Sequence, residues 1–307
     1  MRQERELPVK KFDEAASKKA DGSEEKVRVL GIMGYPVGHS LSPAMHNAAL
    51  RHLGLKGVYL PFEVLPGYLE EAVAGIRALG LWGVNVTIPY KEKVLDYLDW
   101  LTPQAELIGA VNCIACREGR LEGHNTDGEG FLRSLREEGG FDPEGKEVLV
   151  LGAGGAARAI ALVLGQSRAQ KIVVANRTRE KAEELAAQVR RRTAADAAGI
   201  GLGSQELASA AFQADLIVQT TPVGMYPHEE PPDWFKPEWF KADTLVYDII
   251  YRPRPTAFLR QAAARGCRTL DGLGMLVFQG ALAFSWWTGL DAPAEVMREA
   301  ALRELGS

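Results

Sequence analysis

Two rhythms of apolar and polar residues run through the chain. One is short apolar runs of strand length; the other is longer stretches with apolar residues every three or four positions. From Val27 onward the two alternate, which predicts an α/β protein with largely parallel sheets. Residues 29–33 form a strand-like run closed by Gly34, Tyr35 and Pro36. Ser42 and Pro43 predict a helix start with Ser42 as N-cap. Met45, Ala48, Ala49 and Leu53 would be its apolar side, and Gly54 its stop. Strands are predicted over 58–64 and 83–88, and helices over 68–79 and 91–101. Residues 111–115 and 121–123 predict a hairpin turning at Glu118 and Gly119.

The character changes over 130–145. Beyond it, strands are predicted over 148–151, 171–175, 215–219, 244–249 and 267–270. Helices are predicted over 156–164, 179–192 and 255–264, the second carrying Glu180, Glu183 and Glu184 among Lys and Arg. The Ala/Gly-rich stretch 194–203 is expected to be a loop. Residues 1–26 mix charges without an apolar core, so they read as a flexible tail and not as a secretory signal.

Composition adds exclusions. With 46% hydrophobic and 25% charged residues, the chain is neither disordered nor fibrous. Its 36 basic and 40 acidic residues leave a net charge of −4, without the basic stripe of a nucleic-acid binder. Cys113, Cys116 and Cys267 are too few for a disulfide framework. No second pair accompanies Cys113-x-x-Cys116, so no metal site is expected; buried thiols in a reducing cytoplasm are. Residues 272–290 carry no charge and are just long enough to span a bilayer. Their glycines, Gln279, Ser285, Thr288 and the flanking Asp271 and Asp291 point instead to a buried helix lining a cleft.

Chemistry enters at Gly152-Ala153-Gly154-Gly155-Ala156-Ala157, which fits G-x-G-x-x-G/A with Ala157 in the third place. A strand precedes it, a helix follows, and a second strand comes about 20 residues on, the context a dinucleotide site requires. Gly152 suits the tight turn, and Gly154 the approach of a pyrophosphate to the backbone. The helix N-terminus offers free N–H groups to the phosphates. At the end of the second strand an NAD site usually carries Asp or Glu for the ribose hydroxyl. This chain has Asn176-Arg177-Thr178 there. A guanidinium suits a 2′-phosphate, so NADP(H) is expected over NAD.

The first half has no glycine fingerprint but does have polar strand ends. Ser40 and Ser42 stand at a helix start and suit a carboxylate. Asn85 and Thr87 share one face of a strand, and Lys91 is expected to open the next helix, an unfavourable place for a cation. Asn112 is expected to close another strand. Asp127 follows in Asn125-Thr126-Asp127-Gly128, where it suits an Asx turn or a helix cap. A lysine beside a carboxylate can protonate a developing alkoxide during hydride transfer to a ketone.

In these motifs the sequence resembles the shikimate dehydrogenase family. The likeness runs from about Val27 to the C-terminus and includes Ser40-Leu41-Ser42, Asn85-Val86-Thr87 with Pro89 and Lys91, and Gly109-Ala110-Val111-Asn112. It continues in Thr221-Pro222-Val223-Gly224-Met225, Asp248 to Tyr251, and Gly272-Leu273-Gly274-Met275-Leu276 with Gln279. The resemblance implies reversible NADPH-dependent reduction of 3-dehydroshikimate to shikimate, in aromatic amino-acid biosynthesis, by a cytoplasmic enzyme. It implies Lys91 and Asp127 as catalytic pair and Ser40 and Ser42 as carboxylate ligands. Thr87, Asn112, Asp127 and Gln279 would meet ring hydroxyls, with Asn85 nearby and Tyr251 at the cleft. Gly152, Ala153, Gly154, Gly155, Ala156, Asn176, Arg177 and Thr178 would bind the adenosine phosphates. Thr221, Ile250, Gly272 and Met275 would line the nicotinamide side.

The family pattern further implies two domains separated by a cleft. A substrate domain would comprise residues 27–128 plus 272–307, and a Rossmann-type NADP-binding domain residues 129–271. A monomer or homodimer is expected, with no nucleic-acid or membrane partner. The nearest rival is a quinate/shikimate dehydrogenase of looser substrate and cofactor choice, because one hydroxyl changes a pocket little. A nucleotide-sensing protein that lost its chemistry is a third reading, disfavoured by the presence of both Lys91 and Asp127.

Overall fold

The computed structural model describes residues 27–306, so the tail expected over 1–26 lies outside the described residues. The first half opens with β1 (Arg28–Gly34), α1 (Ser42–His52), β2 (Gly57–Glu63), α2 (Leu69–Ala78) and β3 (Gly83–Val86). After it come β4 (Trp100–Leu101), α3 (Pro103–Ile108), β5 (Cys113–Arg117), β6 (Arg120–His124) and α4 (Asp127–Glu137). The six strands make one sheet in the order β2-β1-β3-β5-β6-β4. This sheet is mixed, against the expectation of largely parallel pairing. β1 pairs parallel with β2 and β3, whereas β5 runs antiparallel to both β3 and β6. The cause is local: Glu118 and Gly119 both have positive φ, 52° and 78°. That geometry suits a two-residue hairpin and reverses the chain at once.

Several expectations are corrected here. No α-helix covers 91–101; Lys93–Tyr97 is a short 3-10 helix followed by β4. Val94 is buried in the core, but the segment is too short for a full amphipathic helix. Lys91 is therefore a turn residue and escapes the unfavourable helix dipole. Ser42 is the first residue of α1 and not its cap; Leu41 holds that place, with no side-chain cap bond. Asn112 precedes β5 and does not close a strand.

The second half holds β7 (Glu147–Leu151), α5 (Gly155–Gln166), β8 (Lys171–Asn176), α6 (Arg179–Arg192), β9 (Asp196–Gly201), α7 (Gln205–Gln213) and β10 (Leu216–Gln219). Then come β11 (Leu245–Asp248), α8 (Ala257–Ala264) and β12 (Arg268–Leu270). The strand order is β12-β11-β10-β7-β8-β9, every pair parallel. This is the doubly wound dinucleotide-binding topology, with the crevice expected where β7 and β10 diverge. The expected loop over 194–203 in fact contains β9, the edge strand of that sheet, paired with β8. Its composition hides it, yet the small residues have a cause. A Cβ on Gly199 would lie 2.3 Å from the backbone N of Glu183 in α6, so only glycine lets helix and strand pack this closely.

Two final helices, α9 (Leu273–Thr288) and α10 (Ala294–Gly306), return to the first half. α9 packs on α1, α4 and α10, and α10 packs on α1. Leu273, Val277, Ala281, Phe284, Trp287, Met297 and Ala301 share one core with Leu30, Ile32, Met45 and Leu50. α4 in turn packs against both α9 and α5 and so links the two halves. The uncharged stretch 272–290 is thus a buried helix. No helix among the described residues is long and apolar enough to cross a membrane.

Candidate active site

The strand ends of the two sheets converge where β3 and β7 hand over to their loops. β3 delivers Asn85, fully buried, and the chain turns through Thr87 to Lys91. From the other half, the turn after β7 faces this lysine. A Cβ on Gly155 would sit 3.3 Å from the Cβ of Lys91 and 3.6 Å from that of Ala110. A further link across the crevice joins Arg158 of α5 to Glu92, at 3.7 Å.

Asp127 is the first residue of α4, where its negative charge meets the positive end of the helix dipole. The Asx turn belongs to Asn125, whose Oδ1 accepts from the Asp127 N–H at 3.0 Å. Lys91 Nζ donates to Asp127 Oδ2 at 2.6 Å, with the two side chains 19% and 4% exposed. The other carboxylate oxygen, Oδ1, accepts from Asn112 Nδ2 at 2.8 Å. That Nδ2 also lies 2.9 Å from Thr126 Oγ1 and 3.2 Å from Gln279 Oε1, and Asn112 Oδ1 accepts from the Thr126 N–H. Asn85 joins through its own Nδ2, which donates to the Asn112 carbonyl at 3.0 Å. Lys91, Asp127, Asn112, Gln279 and Asn85 therefore form one hydrogen-bonded unit drawn from four segments of the chain. Lys91 keeps two N–H donors beyond Asp127 and is the only cation in that unit.

The remaining residues expected to bind substrate take no part in the hydrogen bonds of this unit. Ser42 is buried and its backbone N–H donates to Ser40 Oγ at 3.2 Å, which leaves the Ser40 O–H free to donate. Neither serine is bonded to the lysine–aspartate unit. Thr87 is half-buried at the end of β3. Tyr251 comes from the second half of the chain, yet its ring packs on the core of the first; burial raises its hydroxyl above the usual tyrosine range.

The turn after β7 fits a pyrophosphate. Gly152 has φ 116°, a conformation that side-chain-bearing residues rarely adopt. A Cβ on Gly154 would meet nothing within 4 Å, so space opens in front of the loop. α5 begins there without a side-chain cap, leaving its first N–H groups to a ligand. Ala153 lines the turn, and Ala156 stands in the first turn of α5. At the end of β8, Asn176 Nδ2 donates to the Thr178 carbonyl at 2.9 Å and fixes the bend. Arg177 is exposed there and makes no hydrogen bond or ion pair among the described residues. Neighbouring Arg179 is held by Glu183 at 2.9 Å and Glu206 at 3.2 Å. Arg177 is thus the arginine at this strand end whose guanidinium has no partner among the described residues, whereas that of Arg179 is paired. Thr221 follows β10, with its N–H donating to Gln219 Oε1. Ile250, Gly272 and Met275 meet at the start of α9: Gly272 N–H donates to the Ile250 carbonyl, and Met275 is buried in the second-half core.

Fold and site together define a dinucleotide-dependent oxidoreductase. Family models agree along the chain. The shikimate dehydrogenase substrate binding domain matches residues 32–114, the shikimate/quinate 5-dehydrogenase model 136–223, and the shikimate 5′-dehydrogenase C-terminal domain 272–302. The shikimate dehydrogenase (NADP(+)) of Methanopyrus kandleri is 51% identical over 280 residues, covering 91% of this chain and 97% of its own. The Thermus thermophilus shikimate 5-dehydrogenase, solved with NADP(H) and shikimate, is 41% identical with TM-score 0.80, covering 91% of this chain and all of its own. A quinate dehydrogenase of Corynebacterium glutamicum in complex with NAD is 33% identical with TM-score 0.82, at 91% and 100% coverage. The chain belongs to the shikimate dehydrogenase family.

Proposed function

We propose that the protein catalyses the reversible reduction of 3-dehydroshikimate to shikimate with NADPH. The observation that carries this reading is the Lys91–Asp127 pair, packed directly against the glycine turn of the dinucleotide half. Residues 27–128 with 272–307 would hold the substrate, and residues 129–271 the NADP(H). The turn from Gly152 to Ala156 would hold the pyrophosphate, Asn176, Arg177 and Thr178 the adenosine phosphate, and Thr221, Ile250, Gly272 and Met275 the nicotinamide side. Bound NADPH supplies the hydride.

The chain's own residues handle the substrate and the proton. As the carbonyl carbon is reduced, its oxygen becomes an alkoxide and takes a proton from Lys91 Nζ. Asp127, fixed by Asn112 through one oxygen, orients the ammonium through the other and is free to accept a ring hydroxyl. Asn112 and Gln279 set the hydroxyl pattern that the pocket accepts, with Asn85 and Thr87 beside them. Ser40 and Ser42 would receive the carboxylate at the start of α1, and Tyr251 would border the cleft. In the reverse direction Lys91, having lost its proton, takes the hydroxyl proton back.

Consumption of NADPH with 3-dehydroshikimate tests the reading, with NADH and quinate assayed alongside. Rapid turnover with NADPH and 3-dehydroshikimate is expected. Preference for quinate with NADH would favour the broader enzyme instead, a reading against which the unpaired Arg177 stands. Sedimentation would decide between the monomer and homodimer that the family pattern allows, and fractionation would test the cytoplasmic placement.

A further inference from the structure

Behind the substrate side of the site lies a buried aromatic pair that the mechanism above does not use. Tyr59 of β2 is fully buried, and its hydroxyl lies 2.7 Å from Asn85 Oδ1. Its ring stacks face to face on the ring of His46, with centroids 4.3 Å apart and planes 7° from parallel. Neither nitrogen of His46 has a hydrogen-bond partner, and burial lowers its pKa to about 3. His46 is therefore a neutral plate under the tyrosine. The backbone of Tyr59 is pinned as well. Asn47 Nδ2 donates to its carbonyl and Asn47 Oδ1 accepts its N–H, both at 2.9 Å. A side chain thus supplies both strand-like bonds where β2 has no strand beyond it.

The direction of each hydrogen bond follows from which groups can donate. The Asn112 carbonyl accepts only, so the Asn85 amide must turn its Nδ2 toward it. Asn85 Oδ1 then faces Tyr59, and Tyr59 must be the donor. Burial raises the Tyr59 hydroxyl well above its ordinary range, so that proton stays in place. With one N–H on the Asn112 carbonyl, Asn85 has one N–H left. The Tyr59 bond holds Oδ1 on the tyrosine side, so the group left for the pocket is that N–H donor.

We propose that Tyr59 is a positioning residue, which fixes the Asn85 amide as a single donor toward the substrate and steadies, through the Asn112 backbone, the unit that holds Asp127. It rests on the functional reading above but concerns a residue that touches neither substrate nor reacting atoms.

The test is a cycle of Tyr59→Phe, Asn85→Ala and the double variant, assayed with 3-dehydroshikimate and NADPH after the wild type. A wild type without turnover would refute the functional reading itself, separately from this one. With an active wild type, Tyr59→Phe is expected to raise the substrate KM about tenfold, the effect of leaving a buried acceptor unpaired, with the NADPH KM unchanged. In the Asn85→Ala background the same change is expected to add nothing, because residues acting through one contact are not additive. An unaltered substrate KM in Tyr59→Phe would overturn the proposal, as would an equal KM rise in both backgrounds. A Tyr59→Phe protein that does not fold would also overturn it, since the hydroxyl would then hold up the core and not one amide.

Discussion

Replacing Lys91 by Met keeps the length of the side chain and removes its only charge, so it isolates what the ammonium does. The ammonium bonds Asp127 Oδ2 at 2.6 Å, and the opposite oxygen keeps its bond from Asn112. The carboxylate thus loses one of two partners and stays in place. General acid catalysis is worth about 10²–10⁴ in rate. At about 1.36 kcal/mol per tenfold, the variant should lose roughly 3–5 kcal/mol of transition-state stabilisation. The cost to the fold should be smaller. Lys91 is 19% exposed, so water can take its place on the carboxylate, and a loss of about 1 kcal/mol is expected. NADPH absorbance under single-turnover conditions reads the chemical step, and thermal melting reads the fold. kcat should fall far more than KM rises. Asp127→Asn should show a comparable loss, and the double variant little beyond either alone, because the two groups work as a unit. A Lys91→Met enzyme with kcat within about tenfold of wild type, short of the rate expected from acid catalysis, would reduce the pair to a structural ion pair and refute the mechanism.

Three further outcomes are expected. Arg177→Ala should raise the KM for NADPH by about 10–100-fold, the range for losing a charged hydrogen-bonded pair, and leave the KM for NADH unchanged; steady-state kinetics with both cofactors reads this. Gly130→Ala would put a Cβ 2.6 Å from the backbone N of Gln279, forcing α9 off α4. It should cost about 1–3 kcal/mol in denaturant unfolding and raise the substrate KM as Gln279 leaves Asn112. His46 ordinarily titrates at 6.5 and in the fold at about 3, so the unfolded chain takes up a proton that the folded chain refuses. Stability should therefore drop as pH falls from 6.5 toward 3, and melting of His46→Phe should lose less across that window than melting of the wild type.

The parts of the fold legible in the sequence are those whose burial writes itself as composition. β7, β10 and β11 are covered on both faces and appear as plain apolar runs, and β8 keeps an apolar run although one face is only half-covered. β9 is not legible, because Gly199 and its alanines answer to the nearness of α6, a tertiary demand with no local signature. Leu95 and Leu98 mimic helical spacing around Lys91, while β4 pairing with β6 ends the segment early. The site divides in the same way. Lys91, Asp127, Asn112 and the glycine turn stand out because polar residues at strand ends have few structural reasons to be there. Tyr59 and His46 do not stand out. A tyrosine in a strand and a histidine in an amphipathic helix are ordinary, and their part emerges only once β2 and α1 are packed together.

The route of the chain has a consequence for biosynthesis. All strands and helices of the dinucleotide half lie between α4 and α9, so that half can consolidate while the ribosome is still adding residues. The other half must wait. Its sheet has emerged, but the core around Met45 and Leu50 stays open until Phe284, Trp287 and Met297 arrive, and Gln279 arrives with them. A nascent chain stalled before α9 would carry a finished nucleotide platform beside an unsealed partner. Catalytic competence would then be acquired late and all at once.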